Sequence, residues 1–161
     1  MPRLHEVVET TLPLEQTFAF IADFANNPIW DPGTVSAERL DAGPVEPGAR
    51  YRLLVRFGSG AAPMTYTITE LHPDQRVVLR GEGDRVRAVD DIRFAATPSG
   101  GTRIDYTADL ELTGWLRFVQ PFLGGTFRKI GAQARTGMQR ALAERASAVP
   151  TQAAATPGTT R

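Results

Sequence analysis

Apolar and polar positions change period several times along this chain, and the changes divide it into elements. From Arg3 to Thr11 the pattern is extended, because Val7, Val8, Thr10 and Thr11 are β-branched and Pro13 marks an exit. Over Leu14–Asp23 the period becomes helical, with Leu14, Phe18, Ile21 and Ala22 on one face. Two asparagines and two prolines in Phe24–Pro32 keep that helix from running on, which predicts short helical pieces and puts Trp30 on a turn. Beyond Gly33 alternation returns, punctuated by Gly43-Pro44, Pro47-Gly48, Gly58-Ser59-Gly60, Pro73-Asp74, Gly83-Asp84 and Pro98-Ser99-Gly100-Gly101. Further strands are expected at Thr34–Leu40, Ala49–Phe57, Met64–Leu71, Arg76–Gly81, Arg85–Ala95 and Thr102–Thr113. Connections this short favour sequential antiparallel pairing, since parallel pairing needs crossover helices.

Alternation also assigns faces. Tyr51, Leu53, Val55 and Phe57 oppose Arg50, Arg52 and Arg56, and Ile104, Tyr106, Ala108, Leu110 and Leu112 oppose Arg103, Asp105, Thr107, Asp109 and Glu111. A sheet with one apolar face needs a cover. After an apolar loop, Gly114–Gly125, the sequence offers a helix capped by Thr126 and running to about Arg145, with Phe127, Ile130, Ala134, Met138, Ala141 and Leu142 as its stripe. The pattern therefore predicts an α+β helix-grip fold over residues 1–146: a curved seven-stranded antiparallel sheet wrapped around a long C-terminal helix, with two short helices after strand one.

The stripe is thin where Gly131, Ala134 and Gly137 lie. Close backbone packing is one explanation. The preferred one is that these small residues leave volume unfilled between helix and sheet, which makes the gap a binding site. The expected lining is Tyr51, Leu53, Val55, Phe57, Met64, Tyr66, Ile68, Asp90, Ile92, Phe94, Tyr106, Ala108 and Leu110 from the strands. Phe127, Gly131, Ala134 and Met138 join them from the helix, and Trp30 from the turn.

Composition narrows the partners. Hydrophobic residues make up 42% and charged residues 22%, an ordinary globular balance. Eighteen basic residues offset eighteen acidic ones, whereas nucleic-acid binding needs a clustered basic excess, so no nucleic acid is expected. The chain has no cysteine, which removes disulfides, thiolate metal sites and thiol nucleophiles. The start lacks the apolar core of a signal peptide and no apolar run approaches the ~20 residues of a membrane span, so a cytoplasmic protein without a transmembrane segment is expected. Residues 147–161 are Ala, Thr, Pro and Gly with hardly a large apolar side chain, and are expected to form a disordered tail.

Asp90 is the ionisable residue of most interest. Counting back from Phe94 and Ile92 puts it on the apolar face, where desolvation would raise its pKa and make it a neutral acid or a poised base. A bulge between Val89 and Asp91 would instead turn it outward. Tyr51, Tyr66 and Tyr106 fall on the inward sets of three strands and could orient a ligand carbonyl or hydroxyl, or simply pack. Trp30 could close one end of the space or anchor its turn. Trp115, Leu116, Phe118, Val119, Phe122 and Leu123 make the loop before the last helix apolar. It reads as a lid, a membrane-touching or dimer-forming patch, or packing against the sheet edge. His5 and His72 are isolated, and no spacing calls for a metal or a cofactor. Gly58-Ser59-Gly60 suits a hairpin rather than a nucleophile elbow. Arg85, Arg87, Arg93 and Arg103 are expected to pair across strands with Asp91, Asp105 and Asp109.

The order of elements and several residues resemble the START-like superfamily, also described as SRPBCC or birch-pollen-allergen-like, and within it the bacterial polyketide cyclase/dehydrase family. Thr17-Phe18-Ala19-Phe20-Ile21-Ala22-Asp23 is similar to the family's first helix, and Trp30-Asp31-Pro32 to its Trp-x-Pro turn. Leu110–Glu144, with Leu112, Gly114, Pro121, Gly131, Gly137 and Leu142, resembles its closing strand, loop and helix. The resemblance implies a cavity for a small hydrophobic molecule that is aromatic, polyketide-like or lipid-like. Alternatively, it implies an aromatase/cyclase that promotes aldol closure and dehydration, with Asp90, Tyr66 and Tyr106 as the catalytic candidates. Those enzymes resemble a pocket with an inward arginine, whereas Arg50, Arg52, Arg56 and Arg80 read outward here. A protein partner, as in chaperone-activating or toxin-like relatives, and a homodimer are further openings.

Overall fold

The protein is described by a computed structural model over residues 3–148. Its elements are β1 (Arg3–Thr10), α1 (Leu14–Ala22), a 3-10 turn (Phe24–Asn26), α2 (Asn27–Trp30), β2 (Thr34–Arg39), β3 (Arg50–Phe57) and β4 (Gly60–His72). They continue as β5 (Arg76–Glu82), β6 (Val86–Ala96), β7 (Thr102–Leu112), 3-10 turns at Gly114–Phe118 and Gln120–Phe122, and α3 (Gly124–Ala148). Each strand from β2 to β7 pairs with its neighbour in sequence, and β1 returns to pair with β7, giving the order β1-β7-β6-β5-β4-β3-β2, antiparallel throughout. Irregular registers between Thr34 and Ser36 and between Ile68 and Glu70 add local bend to a sheet that curls around the long helix. This is the α+β helix-grip architecture expected from the alternation.

Several boundaries differ from the sequence reading for identifiable reasons. β4 starts at Gly60, not Met64, and carries Pro63 inside it. The Ile68 N–H and C=O both bond towards β3, so odd-numbered residues of this segment aim their N–H at β5. Pairing with β5 begins only at Thr65, so the missing N–H of Pro63 removes no ladder bond. α3 begins at Gly124, placing Thr126 inside its first turn rather than at the cap, because the Phe127 N–H already donates to Leu123 O at 3.0 Å. It continues past Arg145 to Ala148, so Ser147 and Ala148, assigned to the tail, are helical; the rest of the expected tail lies outside the described residues. Ile130 is exposed, and the buried stripe runs through Phe127, Gly131, Ala134, Gly137, Met138, Ala141 and Leu142 instead.

The outer face of the sheet carries the ion pairs, but not quite those expected. Cross-strand pairs include Arg3 with Asp109 at 2.7 Å, and Arg76 with Asp91 at 2.9 Å and with Glu70 at 3.1 Å. Arg93 and Arg103 instead reach Asp91 and Asp105 two residues away on their own strands, and Arg85 and Arg87 pair with no carboxylate among the described residues. These are exposed or half-exposed contacts that contribute little individually.

Gly137 is a close-packing position, which corrects the preferred sequence reading there, whereas Gly131 faces side chains of β1. A Cβ on Gly137 would lie 2.2 Å from the Trp30 carbonyl oxygen and 2.9 Å from Pro32 Cδ, so α3 rests directly on the backbone of α2. A Cβ on Gly131 would meet Glu6 Oε1 at 3.0 Å and Leu4 Cδ2 at 3.5 Å, facing β1 rather than open space. Elsewhere the helix approaches the sheet less closely: its extensive backbone contacts are with β1 and α2, and over β4 to β6 the distance is bridged by side chains.

Candidate functional site

Asp90 sits at the centre of the inner face. β6 is in unbroken register with β5 and β7 through this stretch, with Asp90 opposite Leu79 on one side and Ala108 on the other. There is thus no bulge at Val89 to Asp91, and the period-2 alternation turns the carboxyl into the interior, where the residue is 4% exposed. No cation pairs with it among the described residues. Burial pushes its pKa up to about 8, the Asp31 carboxylate adds to the rise, and a hydrogen bond from the Tyr106 hydroxyl pulls it partly back. Near neutral pH this is a protonated acid that can donate a hydrogen bond and, at modest cost, surrender its proton. Tyr66 and Tyr106 are raised well above their ordinary values, by burial first and then by the Asp90 charge, so both remain phenols.

Tyr66 owes its position to a glycine. It lies opposite Gly81 on β5, and a Cβ there would stand 2.6 Å from Tyr66 Cζ and 2.7 Å from Cε1. The ring therefore lies flat across the glycine backbone, a placement any larger residue would prevent. Gly81→Ala is expected to force the ring off the strand at a cost of ~1–3 kcal/mol. Thermal melting and the tyrosine near-ultraviolet circular dichroism should both change, and an unchanged dichroism signal would contradict this placement.

The space between α3 and the sheet is filled by rings. Trp30 is 0% exposed and stands edge-on to Tyr106, 6.0 Å between centroids at 86°, and to Phe24 at 6.1 Å. Phe24 lies 5.4 Å from Tyr66 and 6.3 Å from Tyr51. The thinned stripe thus accommodates aromatic side chains contributed by α2, the preceding turn and the sheet. Trp30 Nε1, the Tyr51 hydroxyl and Asn27 Oδ1 are buried in this region without a protein hydrogen-bond partner. The buried Thr17 and Thr102 hydroxyls, by contrast, both donate to Leu12 O, at 3.1 and 2.8 Å.

Of the expected lining, Tyr51, Leu53, Met64, Tyr66 and Ile68 are buried together with Ile92, Phe94, Tyr106 and Ala108. Phe127, Ala134 and Met138 are buried on the facing side of α3, and Trp30 joins the same cluster. Val55, Phe57 and Leu110 are only partly buried, towards the strand ends. Gly131 is buried against β1, away from Asp90's immediate neighbours.

The profile of the family described as "Polyketide cyclase / dehydrase and lipid transport" matches residues 1–147. The chain belongs to that family. Its fold is also that of a START superfamily protein from Mycobacterium smegmatis, at 15% identity over 92% of this chain and 99% of that one, with a TM-score of 0.70. Zhui aromatase/cyclase from Streptomyces sp. R1128 is equally similar, at 15% identity over 90% and 93% of the two chains and a TM-score of 0.70. The di-domain ARO/CYC BexL of the BE-7585A biosynthetic pathway matches at 16% identity over 86% of this chain and 47% of its own, with a TM-score of 0.61. No curated protein matches in sequence.

Three charged groups of this family member reach the inner side although no candidate pattern named them. Asp31 follows Trp30 and accepts the Gly33 N–H at 2.8 Å; burial raises its pKa and that hydrogen bond opposes the rise. Only the fold brings it near Asp90. Glu6 lies opposite Tyr106 in the β1–β7 register, on the same face as the buried Leu4 and Val8. The alternation of β1 already carried that signal. Arg39 pairs in register with Tyr51 and lies over its ring at 5.2 Å. Its guanidinium hydrogen-bonds Asp41 and Pro44 O, which holds it at the β2 edge of the sheet.

At one end of the sheet the β7–α3 segment borders a cleft of about 650 Å³ lined by Glu111, Leu112, Arg117, Phe118, Gln120, Pro121 and Gly124. Leu116 and Leu123 tuck against the core, whereas Trp115, Phe118 and Phe122 project outward. No helix among the described residues is long and apolar enough to cross a membrane.

Proposed function

We propose that this protein binds a small, uncharged, predominantly apolar molecule bearing a carbonyl or hydroxyl group, held between α3 and strands β4 to β7. Asp90 is the observation that carries this reading. A carboxyl group buried with no cation costs several kcal/mol relative to an apolar residue, so a packed core alone gives no reason for it. Around it the inner face offers donors: the protonated acid and the phenol of Tyr66, while the Tyr106 hydroxyl donates to Asp90. Asp31 and Glu6 add negative charge on the same side, while Arg39 is engaged at the far edge. This arrangement favours a neutral acceptor such as an aromatic ketone and disfavours a carboxylate such as a fatty-acid anion. Entry requires the rings of Trp30, Tyr66 and Tyr106 to shift, and the side-chain-bridged gap beneath α3 is where the backbone least resists such movement.

The test is a displacement titration with an environment-sensitive fluorescent probe, comparing aromatic ketones with carboxylates of matched size. Ketones should bind at least about tenfold more tightly, and Asp90→Leu should remove that preference. Equal affinities, or no displacement by any member of the panel, would refute the reading.

A second reading, turnover, is favoured by one observation: a carboxyl titrating near 8 exchanges its proton readily at neutral pH. In an aldol cyclisation the Asp90 carboxylate would take a proton from the carbon between two carbonyls, while a phenol hydrogen-bonds the oxygen on which charge develops. The enolate would form the new C–C bond at a further carbonyl, and the Asp90 acid would return its proton to the resulting alkoxide. The carboxylate would then take the remaining proton from the same carbon and deliver it to the hydroxyl, which leaves as water as the C=C bond forms. Similarity to an aromatase/cyclase makes poly-β-ketone mimics the substrates to try. Asp90→Asn should abolish any turnover while retaining ketone binding, and turnover at the unaltered rate in that variant would remove Asp90 from the mechanism.

A further inference from the structure

We propose that the β7–α3 segment, with the start of α3, is a docking surface for an anionic lipid bilayer. Trp115, Phe118 and Phe122 are 70%, 69% and 85% exposed, and Ile130 on the first turns of α3 extends the apolar area. Their exposure is imposed by a pinned backbone. The Thr113 N–H donates to Arg85 O at 2.9 Å, Gln120 Oε1 accepts the Leu112 N–H at 2.8 Å, and Leu116 and Leu123 anchor the two 3-10 turns on the core. Three large aromatic side chains held out of the core on adjacent turns constitute an apolar patch with no role in folding.

Charge identifies the occupant. Between Leu112 and Ala143 the sequence contains Arg117, Arg128, Lys129, Arg135 and Arg140 and no acidic residue, in a chain whose formal net charge is zero. All five are exposed, and among the described residues only Arg135 has a carboxylate within reach, Glu6 at 3.8 Å. Arg117 lies over the Phe118 ring, 5.0 Å from its centroid. Glu111 is the one acidic residue on the rim of the neighbouring cleft. Some arginines elsewhere are matched to carboxylates, as in Arg3 with Asp109 and Arg76 with Asp91, but what sets this segment apart is five cations with no acidic residue among them in sequence. Exposed tryptophan and phenylalanine flanked by unmatched cations suit the headgroup boundary of an acidic bilayer, where the rings bury and the cations meet lipid phosphate and carboxylate. A second copy of the chain fits less well, because an isologous contact would bring the same cations together. The surface lies apart from Asp90, and the inference stands independently of what the interior binds.

The experiment uses the full chain and sucrose-loaded vesicles of phosphatidylcholine alone or with about one third phosphatidylserine. Co-sedimentation should increase about tenfold or more with the acidic lipid and fall steeply with added salt. Trp115 fluorescence should shift to the blue, while Trp30, already buried, contributes a constant background. Trp115→Ser/Phe118→Ser/Phe122→Ser and Arg117→Gln/Arg128→Gln/Lys129→Gln should each reduce binding at least about tenfold with unaltered melting and ketone-probe affinity. No binding to acidic vesicles, or binding that both triple variants retain, overturns the proposal. So does a solution mass showing a dimer that the aromatic variant converts to monomer.

Discussion

Asp90→Asn is expected to stabilise the protein, and by more at higher pH. In the folded state burial holds the carboxyl at about 8, against the ordinary 3.8. Between those values the unfolded chain has released this proton and the folded one has not, so unfolding releases a proton and rising pH favours it. The wild type should therefore be most stable below about pH 4 as far as this group is concerned. It should lose up to about 1.4 kcal/mol per pH unit through the interval and level off above about pH 8. Asparagine keeps the shape and a hydrogen-bond donor but cannot ionise. At pH 8 its melting temperature should exceed that of the wild type by roughly 5–15 °C, shrinking towards zero near pH 4. The check is a set of melting curves for both proteins from pH 4 to 9. A pH-independent difference would mean that Asp90 ionises freely in the folded protein and would remove the basis of the proposed function. Asp31, also raised by burial, acts in the same direction and should leave a smaller slope in the variant.

The second large effect comes from a single methyl group. In an ordinary helix interior Gly→Ala stabilises by ~1 kcal/mol. At Gly137 the sign should reverse, because the new Cβ would sit 2.2 Å from a backbone oxygen of Trp30 and the only relief is to lift α3 from α2. That movement disturbs Trp30 and the rings packed on it, so the loss should reach the upper end of the ~1–3 kcal/mol seen for overpacking, or exceed it. Gly131→Ala is the control: its Cβ meets the end of a flexible Glu6 side chain, which can swing aside, so stability should be unchanged or slightly improved. Parallel thermal or urea denaturation of the two variants measures the contrast. Similar behaviour of both would mean that the close contact of α3 with α2 is not maintained in solution.

These two glycines also show where sequence reasoning stopped. Gly131, Ala134 and Gly137 announced an unusual helix face, but a missing side chain is compatible with empty space and with a neighbour pressed close. The choice depends on where α2 lies, and the local pattern of α3 contains no information about that. The same limit applies to Asp31. It was visible as part of Trp30-Asp31-Pro32, yet its approach to Asp90 spans separate elements and depends on the curl of the sheet. The outer ion pairs are a milder case. Alternation put Arg93 and Asp91 outside correctly, but long side chains choose among several carboxylates within reach, and Arg93 takes the one on its own strand.

What the sequence by itself determined is what a local period can encode. Alternation selected the inward side of β3, β4, β6 and β7, placed Asp90, Tyr66 and Tyr106 among apolar residues, and called for one long covering helix, because a side chain's face follows from its own backbone. Short turns dictated the antiparallel order for the same reason. What only the tertiary structure decided is distance between elements: that α3 touches α2 at Gly137, that Phe24 and Trp30 fill the space beside Asp90, and that Trp115, Phe118 and Phe122 remain outside. Those outcomes depend on the shapes of side chains far apart in the chain meeting at close packing, and no single segment's periodicity carries that information.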